Sequence, residues 1–243
     1  MILTLAKKEL RSLFVTPSTW WMLAMLQFIF GWFFLERMDD YLKVQAQLAH
    51  MENAPGVTIS VAAPLASVLV LVLMMLIPLF TMRLIAEERR NQTWILLTTS
   101  PISATQIVLG KFLGLLALLT LIITASGLMM SALSLGTQAD YGLIASNLLG
   151  VWLLAATYAA LGLFFSALTR QPIVAAFGAI ALSFGLWMLD MSGGTLRAFS
   201  PNAHFQNLNV GLVTSIDLAY FLLFIAVFLS LAVRRIRFER GGK

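Results

Sequence analysis

Long apolar runs broken by short charged clusters set the plan of this chain. Windows free of Asp, Glu, Lys and Arg cover 12–35, 53–82, 112–139, 141–169, 171–189 and 218–233. A helix needs about 20 apolar residues to cross the hydrocarbon core of a bilayer, with about 17 as the usual minimum. The first four windows are ample. The last is short, but Tyr220 and the arginines that follow it extend such a run by interfacial anchoring and snorkelling. The pattern therefore predicts an all-α integral membrane protein, one domain over 1–243, with spans near 18–36, 61–83, 110–135, 142–168, 172–190 and 216–234. A seventh charge-free stretch, 198–216, carries Ser200, Pro201, Asn202, His204, Gln206, Asn207 and Asn209. That is too polar for a lipid-facing helix, and it reads as short external or re-entrant helices between spans five and six.

Composition agrees with a lipid medium. Of 243 residues 60% are hydrophobic and 11% charged, where soluble domains carry roughly a quarter charged residues. The net charge of +5 does not point to nucleic acid, because the basic residues flank apolar runs. With the N-terminus inside, thirteen of the sixteen Lys and Arg fall on the cytoplasmic side and only Arg37, Lys43 and Arg197 outside. By the positive-inside rule both termini are cytoplasmic.

The first residues interleave Lys7, Lys8 and Arg11 with Leu3, Ala6, Leu10, Leu13 and Phe14 at helical spacing. A cleavable signal would place its charge ahead of the apolar run, so this segment reads as an amphipathic helix on the membrane surface or as the first cytoplasmic turns of span one. Within the spans, Pro64 and Pro78 are expected to bend the second helix, since each lacks a donor and crowds the preceding turn. Gly110 and Gly114 form G-x-x-x-G, and Gly150, Ala155, Ala156, Ala159, Ala160 and Gly162 thin span four, which allows close helix approach either within the bundle or at a dimer face.

The absence of cysteine removes disulfides, thiolate metal sites and thiol nucleophiles. His50 and His204, both read as external, and the internal Glu87-Glu88 pair cannot share one metal; a ligand role for His204 with Met188 or Met191 is weaker than a hydrogen-bonding one. Ser126 lacks the surroundings of a nucleophile. No G-x-x-x-x-G-K-[ST] occurs, so this chain cradles no ATP phosphates, and it is expected to be no enzyme, with no metal and no cofactor of its own. No ionisable residue falls at the middle of a span, which disfavours an ion-coupled carrier without removing one that uses backbone carbonyls at broken helices.

The stretch from Arg83 to Lys111 is long for a connection between spans. It is charged at first, then apolar at Trp94, Ile95, Leu96 and Leu97, then turn-like at Thr98, Thr99, Ser100 and Pro101. Ser103 and Gln106 have capping-box spacing. Helix, turn, helix is the expectation, either as a membrane-interface hairpin or docked on a cytoplasmic partner.

The run Arg83-Leu-Ile-Ala-Glu-Glu-Arg-Arg, Thr93, Leu96-Leu97, Thr99-Ser-Pro-Ile-Ser and Val108-Leu-Gly-Lys-Phe resembles type-2 ABC exporter permeases, closest to the gliding-motility and copper-enzyme-maturation branch. So does a second block, Phe199-Ser-Pro, His204-Phe205, Gly211, Asp217, Tyr220-Phe221-Leu222 and Phe228-Leu229. Where the pattern has glycine before Thr93 this chain has Gln92, and it has Ile95 where an acid precedes the two leucines. The resemblance implies a permease subunit of an export or mechanotransmission complex in the bacterial inner membrane. It implies a coupling helix over 87–97 that meets a separate ABC ATPase through Glu87, Glu88, Arg89, Arg90, Thr93, Trp94, Leu96 and Leu97. ATP and Mg would be used by that ATPase. An elbow helix over 1–14, an external segment marked by Pro201, His204, Phe205 and Asp217, and a second permease copy would complete the assembly, with an external domain protein as a further partner. The alternatives are an ion-coupled carrier and a structural membrane subunit.

Overall fold

The computed structural model describes residues 1–48, 56–95, 102–135, 139–192 and 194–241. Among them the elements are helical, without a strand. Helix α1 (Ile2–Val15) ends at Thr16, whose backbone is extended with ψ 117, as expected of a residue before proline. Pro17 then opens α2 (Pro17–Leu48). Trp20 Nε1 donates to Phe14 O at 2.8 Å across this corner.

The first span read from charge ends at 36, and the residues after it read as a loop. In the structure α2 continues to Leu48. Arg37 with Asp40 and Lys43 with Asp39 pair along one face, the spacing at which opposite charges support a helix instead of stopping it.

Helix α3 is helical over Thr58–Arg90. It is an ordinary α-helix over Ala63–Met82 and a wide π-helix at each end, Thr58–Ala62 and Arg83–Glu87. Pro64 stands beside the first wide segment and Pro78 shortly before the second. A proline ring interrupts the regular ladder, and one-turn π segments are a common way to absorb an interruption.

Helix α4 (Ala104–Ser131) begins at the capping box: Gln106 N donates to Ser103 Oγ, and Ser103 N donates to Gln106 Oε1. Ser103 is therefore the residue that marks its start. Helix α5 (Tyr141–Leu168) is capped by Asp140, whose carboxylate accepts from Gly142 N and Leu143 N. It is the most enclosed span; Ala155, Ala156, Ala159, Ala160 and Gly162 are all buried in it, and α3, α4, α6 and α8 pack around it. An ideal Cβ on Gly162 would lie 2.2 Å from Thr81 Oγ1 of α3, so the absence of a side chain sets that contact.

Helix α6 (Pro172–Met188) has 17 residues. At about 1.5 Å per residue it falls slightly short of a hydrocarbon core of about 30 Å. A 3₁₀ turn (Gly194–Phe199) and α7 (Pro201–Asn209) lead to α8 (Ser215–Gly241). Among the described residues five helices are long and apolar enough to cross a membrane: Pro17–Val44, Thr58–Arg90, Ala104–Ser131, Tyr141–Leu168 and Ser215–Arg240. Of these the first and last are mostly uncovered, with Trp20, Trp21, Phe28 and Trp32 exposed on α2 and Leu222, Leu223 and Val227 on α8.

The glycine pair on α4 has its use inside the chain. Leu5, Glu9 and Leu13 form the buried stripe of α1, and α1 lies along α4. A Cβ on Gly110 would come within 2.7 Å of Leu5 Cδ2, and one on Gly114 within 2.9 Å of Ala6 O. The stripe that an interfacial helix would turn to lipid is therefore spent on protein. What α1 leaves open is its basic face.

Candidate functional site: the ion cluster at the terminal end of the bundle

Both terminal helices meet the segment 83–111 at one end of the bundle. Lys111, at the start of the third turn of α4, is fully buried. Its Nζ donates to Glu9 Oε1 of α1 at 3.0 Å and to Glu88 Oε1 of α3 at 2.7 Å. Lys8 stands further off, 3.4 Å from Glu9 and 3.8 Å from Glu88, with its side chain largely exposed. A buried ammonium between two carboxylates is tolerable only because both are in place, so three helices are held in a single arrangement by one side chain.

The neighbouring residue performs the same service toward the other side. Arg89 donates to Ala167 O of α5 at 2.7 Å and to Glu239 Oε2 of α8 at 2.8 Å, and its guanidinium lies 5.2 Å from the centre of the Trp94 ring. Arg235 also reaches Glu239 at 3.6 Å. Further along α8, Arg237 donates to Thr105 Oγ1 and Arg240 to Ile102 O. On the α2 side Arg83 donates to Ser18 Oγ at 2.8 Å.

The wide segment Arg83–Glu87 has its own partner. Ser166 Oγ of α5 accepts from Ile85 N at 3.1 Å and from Ala86 N at 3.0 Å, and donates to Met82 O. A wide turn displaces the regular i to i−4 ladder, and buried amides without an acceptor are costly. One hydroxyl supplies that acceptor.

The residues expected in the coupling helix thus divide. Glu88 and Arg89 are the half-buried ties just described. Glu87 is half-buried, Arg90 is exposed, and the exposed Thr93 donates to Glu88 O. Trp94 is half-buried beneath Arg89. Leu96 and Leu97, with the turn at 98–101, lie outside the described residues. Among the described residues the segment is not one unbroken helix: Glu88–Arg90 completes α3, Asn91–Thr93 form a turn, and helix resumes at Trp94 and Ile95. Gln92 there has φ 59, the left-handed region in which glycine is at ease.

At the opposite end, the external residues do come together. His204 Nδ1 lies 2.6 Å from Asp217 Oδ1 and Nε2 lies 3.0 Å from Ala198 O. The carbonyl can only accept, so Nε2 carries a proton, and neither nitrogen is left for a metal. The ring stacks on Tyr220 with centroids 4.0 Å apart. Asp217 also accepts from Thr214 Oγ1 at 2.7 Å and from Asn207 Nδ2. Pro201 opens α7 and Phe205 is buried in the core. The cluster is a latch between the 3₁₀ turn, α7 and the first turn of α8.

Sequence reasoning does not find Lys111, Glu9, Ser166 or Glu239. The only signal was a lone acid among Lys7, Lys8 and Arg11, and a lysine placed inside an apolar helix.

Compared with known families, residues 3–242 match the model described as ABC-2 family transporter protein. A search of curated proteins found no match.

Proposed function

The chain belongs to the ABC-2 family of transporter proteins, and we propose that it is the membrane-spanning permease subunit of an ATP-driven export or mechanotransmission complex. It crosses the bacterial inner membrane six times, α6 being the shortest span, with both termini in the cytoplasm. A separate ABC ATPase binds and hydrolyses ATP with Mg, and docks on the segment 87–97. A second permease copy completes the complex.

The observation that carries this reading is the burial of Lys111 between Glu9 and Glu88. The outer face of the segment, Arg90 to Gln92, is exposed, while Glu88 and Arg89 tie its inner face to α4, α5 and α8. A push on it moves Glu88 and with it α1 and α4; through Arg89 it moves the ends of α5 and α8. Charged hydrogen bonds at 2.7–3.0 Å are short and directional, so the displacement passes on as motion of whole helices. The nucleotide state of the ATPase then biases two arrangements of the bundle. The segments 36–60 and 192–216, on the far side, are the surfaces an external domain would touch.

Deleting 87–97 should abolish co-purification with a candidate ABC ATPase partner, and ATP hydrolysis by that ATPase should rise on reconstitution with the intact permease. Intact complex formation by the deletion variant would sink the docking assignment. Hydrolysis indifferent to the permease would favour an ion-coupled carrier or a structural subunit.

A further inference from the structure

The open face of α1 is a groove of about 540 Å³ lined by Thr4, Lys7, Lys8, Arg11, Ser12 and Thr16. Of its three cations, Lys8 is engaged with Glu9 and Glu88. Lys7 and Arg11 are exposed and have no ion-pair or hydrogen-bond partner among the described residues. They stand one turn apart on the same face, with Cβ atoms about 5–6 Å apart by helix geometry, so one phosphate group can accept from both. Counting charges, Lys8 and Lys111 balance Glu9 and Glu88, which leaves Lys7 and Arg11 as uncompensated positive charge.

Two further features suit an anion here. The carboxyl end of a helix ordinarily repels one through its free carbonyls. At the end of α1, Phe14 O accepts from Trp20 Nε1 and Ser12 O accepts from Thr16 Oγ1, so two of the terminal carbonyls are engaged. The groove also sits where α1 turns into the apolar α2, whose first exposed residues are Trp20 and Trp21, the residue type that settles at headgroup depth. Leu3 and Val15, exposed at the two ends of the basic face, offer apolar contact to acyl chains.

We infer that Lys7 and Arg11 form a binding site for the phosphate of an anionic phospholipid in the leaflet that α1 borders. The bound lipid completes the basic face of α1 as α4 completes its apolar face, and leaves Lys8 on the ion cluster. The site requires only that α1 lies at the membrane surface; it is independent of the ATPase and is tested on this chain alone.

The test is native mass spectrometry of the full chain released from micelles holding equal amounts of dioleoylphosphatidylglycerol and dioleoylphosphatidylcholine. The wild type should retain the anionic lipid preferentially. Lys7→Gln and Arg11→Gln should each lower that preference about fivefold and together about twentyfold or more, the scale set by basic residues near an anionic surface. The swap Lys7→Arg with Arg11→Lys should keep it. Both positions changed carry exposed side chains, and an unaltered melting profile identifies folded variants. An unchanged preference in the double Gln variant would overturn the inference. So would displacement of the lipid by millimolar glycerol phosphate, which would make the groove a site for soluble phosphate esters.

Discussion

Replacing Lys111 by methionine keeps the length and most of the volume of the side chain while deleting its charge. In the intact protein the ammonium is fully buried with carboxylates at 3.0 and 2.7 Å. Such a cluster adds little net stability, because desolvation offsets attraction, but removing one partner strands the others and costs about 3–5 kcal/mol. Two carboxylates would be stranded here. Lys8 is the one nearby cation able to compensate, and its side chain is 59% exposed, where an ion pair contributes about 1 kcal/mol at most. The net loss should therefore stay near the lower half of the range, about 3 kcal/mol. For chains of this size one kcal/mol moves a midpoint by roughly 2–4 °C, so the apparent melting point of the detergent-solubilised protein should fall by roughly 6–12 °C at a fixed scan rate. Intrinsic tryptophan fluorescence and loss of the monodisperse size-exclusion peak would both report it. The decisive arm is the triple variant Lys111→Met, Glu9→Gln, Glu88→Gln, which removes the stranded charges and should recover at least half of the loss. A Lys111→Met protein melting within about 1 °C of wild type, or a triple variant no better than the single one, would refute the reasoning.

Ser166→Ala should destabilise by about 1–3 kcal/mol for each of the two amides it leaves without an acceptor, and amide hydrogen exchange over 83–90 should speed up ahead of the rest of α3. Gln92→Gly relieves a left-handed conformation that costs a residue with a side chain about 1–2 kcal/mol, part of which the looser unfolded glycine chain takes back. A melting point raised by a few degrees is expected, with Gln92→Val moving it the other way.

The spans were legible because hydrophobic runs are a local signal, and so was the capping box at Ser103 and Gln106, whose partners are three residues apart. The departure at Gln92 was visible in the family pattern, and its left-handed φ explains why glycine belongs there. Other features required the third dimension. Charge after residue 36 reads as the end of a span, yet the pairs Arg37 with Asp40 and Lys43 with Asp39 carry α2 to Leu48. The seat of α1 on Gly110 and Gly114 was readable only as a generic close approach, since nothing local tells whether the visiting helix comes from the same chain. Lys111 joins Glu9 across 102 positions and Glu88 across 23, separations over which one sequence holds no pairing information. In isolation it resembles a topological anchor. Asp217 and His204, by contrast, are close in sequence, and the family resemblance had already put them together.

The wide segment Arg83–Glu87 changes how the end of α3 has to be indexed. An extra residue in the winding rotates everything beyond it by about 100° relative to an unbroken helix. A helical wheel continued from Ala63 through Arg90 would aim Glu88 and Arg89 roughly a quarter-turn away from Lys111 and Glu239. Cysteine-scanning or heptad-based alignment of this arm must therefore restart its phase at Arg83, or solvent and core will be exchanged on paper.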